Sequence, residues 1–382
     1  MDSKNRLQRA INHQEPDRIP FDLGATQLTG MHVTAYRKLV ARLGFNDLSI
    51  EIGDIIQQLA LPHEEVLKKL KVDMRGLKSS SPAAFKLEII RNGKHDMFTD
   101  EWGVRWAKPV QGGLYFDMIT HPLEKAQVLS DLDAYKWIDP QDESRYIGLE
   151  EKAIDYSEAG LGIVHSSLGA GVSEMHAWLR GYEKYYTDFY LQPDIAEYIM
   201  DRVVDIKIDY WKKIFSRIGK YIDVVVEADD LAGQENLLIS PKIYRRFIKP
   251  RHARLFAAIK DFAPHVKIFF HSCGAVRPLI NDLIEVGVDI LNPIQKAAAG
   301  MNLGELKKEF GKYIVFWGGG VDTQRVFDGD DLELVKADVR ENIASLKAGG
   351  GFVFSTIHNT QPNVPSENYL AMWDILQENG QY

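Results

Sequence analysis

The stretch "KIFFHSCGAVRPL" (267–279) sets His271, the single cysteine Cys273 and Gly274 at the end of an apolar run, just before a helical pattern. Side chains at i and i+2 of a strand share a face, so the imidazole and the thiol converge if the strand persists through Cys273. Thiolate and imidazole are ligands that zinc prefers, and a catalytic ion needs a third protein ligand plus an open position. His358, in the apolar run "FVFSTIHN" (352–359), can supply that third ligand. The competing reading is a buried cysteine acting as a small hydrophobe beside a histidine bonded to a carbonyl.

A second polar concentration is "VVVEADDLAGQEN", with Glu227, Asp229 and Asp230 at the end of an apolar run. Carboxylates there can bind a metal, orient a cationic group or transfer protons. Glu227 and Asp229 share a strand face and form the preferred pair, with His358 as a further catalytic group. Asp229 or Asp230 capping the next turn is the bland alternative. "FWGGGVDTQ" lacks the glycine spacing of a dinucleotide fingerprint; it reads as a tight turn that lets substrate approach backbone, with Asp322 capping or touching that substrate. Asp22, His165, His176, Asp230, Asn292 and Asp322 make up the substrate-binding set; His165 and His176 also fit as satisfied core histidines. "GVSEMH" has neither the turn nor the partners of a serine nucleophile elbow.

These residues need a scaffold that gathers strand ends. Eight apolar runs, at 18–24, 72–78, 162–169, 223–230, 267–274, 288–295, 313–320 and 352–359, each end in polar or glycine residues. From the third onward each is followed by a helical pattern. The alternation predicts a single (β/α)8 TIM barrel over residues 1–382, with reacting groups at the C-terminal strand ends. An open doubly wound sheet is the alternative. Between the second and third runs, Asn92-Gly93 and Gly112-Gly113 punctuate alternating segments, which predicts a β-hairpin insertion at about 79–140.

Composition narrows the classes. Apolar residues make up 45% and charged residues 26%, and the net charge is -8, which gives no attraction for phosphate backbones or anionic lipid. Nucleic acid and membrane are excluded as partners. One cysteine forms no internal disulfide, and "MDSKNRLQRAINHQEPDR" lacks a signal-peptide core, so the expected location is cytoplasmic. Homo-oligomerisation is compatible with the sequence.

"NHQEPDRIPF", "DEWGVRW", "EADDLAGQENLLISPKIYRRFIKP", "HSCGAVRPLINDLIEVGVDILNPIQ", "FWGGGVDTQ" and "HNTQPNVPSENYLAMW" together resemble the uroporphyrinogen decarboxylase superfamily almost end to end. The resemblance implies a single barrel. Its decarboxylase branch carries an Arg-Gln-Ala-Gly-Arg segment after the first strand and a tyrosine in the third unit. Here those regions read "DLGATQLTGM", without a cation, and "GAGVSEMHAW", without a tyrosine, although His358 falls where that branch keeps a histidine. The branch of zinc-dependent, corrinoid-linked methyltransferases resembles this chain in its His-x-Cys-Gly. Its third zinc ligand is usually a cysteine, at a position held here by His358.

The resemblance implies a zinc site of His271, Cys273 and His358, and methyl transfer between a small molecule, a methoxylated donor or a thiol acceptor, and cobalamin on a separate corrinoid protein. Exchanging one sulfur ligand for imidazole leaves the ion more acidic and tilts the expectation toward methoxylated donors. A metal-free decarboxylase or lyase using His358 and Asp229, and a barrel that binds without turnover, are the alternatives.

Overall fold

A parallel strand covered on both faces must be apolar almost throughout, and seven of the eight apolar runs become such strands. The computed structural model describes residues 1–382. A short antiparallel ribbon, β1 (Ile52–Asp54) and β2 (Leu59–Ala60), precedes the first parallel strand, β3 (Met74–Leu77). A four-stranded antiparallel sheet follows, built from β4 (Ile90–Asn92), β5 (His95–Thr99), β6 (Arg105–Pro109) and β7 (Asp117–Thr120). The turns at Gly93 and Gly112 both need positive φ, +58° and +74°, which glycine adopts without strain.

The remaining parallel strands are β8 (Gly162–His165), β9 (Val224–Ala228), β10 (Lys267–His271), β11 (Ile290–Asn292), β12 (Val315–Trp317) and β13 (Phe352–Val353). With β3 they form one seven-stranded sheet ordered β13-β12-β11-β10-β9-β8-β3. Amphipathic helices cover its outer face. The longest, Pro193–Ile218, buries Val203, Tyr210, Trp211 and Ile214 against the sheet and carries Lys207 inward. One hydrophobic cluster of 103 buried residues runs from Leu7 to Leu376. No helix is long and apolar enough to cross a membrane.

The first run, residues 18–24, is the departure from expectation: it makes isolated bridges instead of a regular strand. Pro20 has no N–H to give, so a ladder cannot continue through it. The segment still joins both edges of the sheet. Asp22 N–H donates to the Phe354 carbonyl (2.9 Å), Phe354 N–H to the Pro20 carbonyl (2.8 Å), and Asp73 N–H to the Phe21 carbonyl (2.9 Å). The sheet thereby curls toward a barrel.

A buried carboxylate replaces the missing ladder bonds. Asp73, fully buried, accepts from Phe21 N (2.9 Å), Ser3 Oγ (2.8 Å), Arg6 Nη1 (2.7 Å) and both terminal nitrogens of Arg18 (2.8 and 2.9 Å). It ties the first helix and the first segment to β3. Removing one partner of such a buried network leaves uncompensated charge, which costs about 3–5 kcal/mol. Asp73→Ala is therefore expected to lose about that much stability in urea unfolding; a loss below about 1 kcal/mol, the range of an exposed pair, would show that the network is dispensable.

Candidate metal centre and cavity

The register of the central strands builds the site. His271 lies beside Ala228 of β9 on one side and Asn292 of β11 on the other. Its Nδ1–H donates to Asn292 Oδ1 (2.6 Å), and Asn292 Nδ2 donates to the Trp317 carbonyl (2.9 Å). The second bond orients the amide, the amide fixes the ring tautomer, and Nε2 is left with its lone pair facing Cys273 Sγ at 3.4 Å. Cys273 sits two residues beyond, where the backbone turns away from the sheet, and its N–H donates to Asp230 Oδ1 (2.8 Å). Gly274 makes that turn possible: φ is +84°, and a Cβ would lie 2.3 Å from the Gly233 carbonyl oxygen.

His358 arrives from the loop after β13. Its neighbour Asn359 anchors that loop, accepting from Gly30 N (2.6 Å) and donating to the Gln27 carbonyl and Gln57 Oε1 (both 2.8 Å). The His271 and His358 rings lie 6.1 Å apart, and the ligating atoms of His271, Cys273 and His358 all fall within 4.8 Å of one another. Burial, followed by the neighbouring His271, lowers the His358 pKa to about 4, so its ring is neutral near pH 7. Burial, then the charges of Asp230 and Glu174, pushes the Cys273 thiol well above its ordinary range. No cation beside it favours the thiolate.

Two of the three residues, His271 and His358, form part of the wall of a cavity of about 600 Å³. The floor comes from the ends of β8 and β9; the far wall comes from the antiparallel sheet, through Phe98, Trp106 and Met118. The antiparallel sheet thus lies over the strand ends.

The predicted residues are distributed unevenly around this cavity. Asp230 lines it, 3.8 Å from His271 Nε2. Glu227 also lines it but is fully engaged: Oε1 accepts from Ser167 Oγ and Trp211 Nε1 (both 2.7 Å), and Oε2 from buried Lys207 (2.8 Å). Asp229 is not in the cavity wall. The strand ends at Ala228, so the face shared with Glu227 is lost, and the Asp229 carboxylate instead accepts from Glu174 N (2.7 Å), Ser173 N (3.1 Å) and His252 Nε2 (2.6 Å). It caps the helix Val172–Arg180, whose entry is so close to β9 that a Cβ on Gly171 would lie 1.6 Å from the Ala228 carbonyl oxygen.

Other expected contacts are also structural. Asp22 accepts from Ala25 N and Trp317 Nε1 (both 3.0 Å), and burial raises its pKa to about 6. Asp322 accepts from Gln324 N (2.9 Å) and caps its own turn. His165 donates from Nδ1 to the Ser166 carbonyl (2.9 Å), and burial lowers its pKa to about 4. His176 packs with Asp188 and Arg180 between helices. Asn292 acts on His271 rather than facing the cavity.

Sequence reasoning passed over Glu174, Trp178 and the turn tryptophan Trp102, which line the cavity. Glu174 and Trp178, with Tyr182 four residues on, follow helical spacing, a signal present in "GVSEMHAWLRGY". Burial, then Asp230 and Asp229, holds the Glu174 carboxyl well above the usual range.

A barrel-like α/β protein with a histidine and cysteine cluster at its strand ends is what fold and site define together. Residues 128–379 match the model of the family described as uroporphyrinogen decarboxylase (URO-D), and the chain belongs to that family. A uroporphyrinogen decarboxylase from Syntrophotalea carbinolica is 23% identical over 189 residues, 49% of this chain, so the chain spans about half (50%) of that curated relative's length. Among solved structures, a methyltransferase from Methanosarcina mazei superposes with a TM-score of 0.67 over 99% of both chains at 16% identity, a likeness of fold.

The raised thiol pKa has a direct readout. In metal-stripped protein, the rate of Cys273 alkylation by iodoacetamide is expected to keep climbing above pH ~8.5, the ordinary thiol value. A plateau at or below that pH would contradict the electrostatics described.

Proposed function

We propose that the protein is a zinc-dependent methyltransferase, a single (β/α)8 barrel domain with an antiparallel insertion over its mouth. It moves a methyl group between a small molecule, a methoxylated donor or a thiol acceptor, and a corrinoid carried on a partner protein. The observation that carries this reading is the convergence of the ligating atoms of His271, Cys273 and His358 within 4.8 Å, beside a substrate-sized cavity that both histidines line. Family membership and the fold shared with a methyltransferase support it.

The donors fit the ion. Ligands at about 2.0–2.3 Å around a tetrahedral centre lie roughly 3.3–3.7 Å apart. The 3.4 Å between Cys273 Sγ and His271 Nε2 matches, and the 4.8 Å envelope of the trio is within side-chain adjustment of it. When bound, zinc supplies Lewis acidity, lowering the pKa of a substrate thiol or polarising a methyl-bearing oxygen.

The chain's own residues do the rest. His358, neutral near pH 7, offers its lone pair without first losing a proton. Asn292 holds His271 in the ligating tautomer. Cys273 must give up a proton on binding, so metal affinity falls as pH falls. Asp230, nearer the cluster than any other carboxylate of the strand-end group, is placed to orient the substrate, and Glu174 can hold a proton in the cavity. The aromatic wall limits water around the reacting end.

Elemental mass spectrometry of the purified protein tests this. About one zinc per chain is expected, lost in His271→Ala and Cys273→Ala. Asn292→Ala should keep the site but weaken zinc binding roughly 10–100-fold in chelator competition. Absence of metal from all preparations, together with turnover that survives chelation, would replace this reading with metal-free lyase chemistry.

A further inference from the structure

The cavity wall away from the ligating cluster has a composition of its own. Six aromatic side chains line the cavity with six carboxylates, while Lys78 is the one lining lysine and no arginine lines it. Lys78 is already engaged, its ammonium donating to the Gly53 carbonyl (2.7 Å). Two of the carboxylates are neutralised: Glu101 pairs with Arg145 and Glu227 with Lys207 (both 2.8 Å). Asp230 belongs to the ligating end, 3.8 Å from His271. Asp54 accepts from the backbone N–H of Gln57 (2.8 Å) in its own turn. Asp100 and Glu174, on the aromatic side, have no cationic side chain bonded to them.

Aromatic residues neighbour both groups. Trp106 donates its indole N–H to Asp100 Oδ2 (2.9 Å), which fixes its ring plane, and Asp100 also accepts from Trp102 N (2.9 Å). Trp106 meets Trp178 at a centroid distance of 5.0 Å and an interplanar angle of 78°, forming a corner. Glu174 lies one helical turn before Trp178 on the same helix. Aromatic rings beside carboxyl groups that lack a bonded cation attract organic cations through the ring quadrupole, and an arriving cation draws those carboxyls into their charged form. Burial raises the pKa of both carboxyls, that of Asp100 to about 6, a cost that a counter-charge removes. An anionic substrate would find one cation in this wall, Lys78, at the Gly53 carbonyl.

We infer that the small molecule carries a methylated ammonium group, held by Trp106, Trp178, Asp100 and Glu174 while its reacting end reaches the His271, Cys273 and His358 cluster. The inference rests on the cavity being the substrate site of the proposed reaction.

Binding by the full chain, followed through tryptophan fluorescence and calorimetry, tests it with three probes of one shape: choline, its neutral carbon analogue 3,3-dimethylbutan-1-ol, and the anion 3,3-dimethylbutanoate. Choline is expected to bind about tenfold more tightly than the carbon analogue, with no saturation by the anion. Glu174→Gln and Trp178→Leu, each checked for native near-ultraviolet circular dichroism, should both abolish that preference. Equal binding of choline and its carbon analogue overturns the inference, as does a preference that survives in Glu174→Gln. The two readings separate cleanly. Zinc lost on Cys273→Ala without any choline preference removes the inference alone, whereas a choline preference in protein without zinc removes the metal reading alone.

Discussion

Everything at the candidate centre depends on the register of three adjacent parallel strands. His271 is level with Ala228 on β9 and with Asn292 on β11, so the one asparagine that can fix its ring is placed by backbone pairing. A slip of one residue would turn His271 into the opposite face and separate it from both Asn292 and Asp230. The same pairing sets Asn292 near Trp317, which closes the chain of hydrogen bonds from β10 to β12. A ligand set needs this kind of support, because an imidazole free to choose its tautomer binds metal less tightly.

Buried charge in this protein does two separate jobs. Asp73 and Asp229 are fully enclosed carboxylates that satisfy backbone N–H groups and hold elements together, the first at the sheet's closing segment and the second at a helix entrance. Asp100, Glu174 and Asp230 instead face the cavity. What distinguishes the groups is where the fold points each side chain; at Asp229 the close backbone approach of Gly171 to Ala228 brings the helix entrance onto the carboxylate.

The antiparallel sheet between β3 and β8 changes the character of the site. Without it, the strand-end cluster would lie open to solvent. With Phe98, Trp106 and Met118 set across from the cluster, the mouth becomes an aromatic chamber in which electrostatic interactions are less screened. Trp102 and Trp106 come from "DEWGVRW", a segment marked as distinctive in the sequence, though its place over the cavity follows only from the folded arrangement.

The sequence alone carried the alternating strand and helix plan, the glycine turns at Gly93 and Gly112, and the nomination of His271, Cys273 and His358 as candidate ligands, because periodicity and ligand chemistry are local properties. Tertiary structure decided which carboxylates face the chamber. Glu227 and Asp229 are two residues apart, yet one points to Lys207 at the cavity edge and the other to a helix N-terminus, since the strand stops between them. Pro20 likewise prevented a regular strand in the first run, and the side chain of Asp73, fifty-two residues from Phe21, accepts the Phe21 N–H instead of a ladder carbonyl. Glu174 and Trp178 became visible as site residues only when their helix was packed against the strand ends. Burial and pairing are long-range quantities, set by which elements meet in three dimensions.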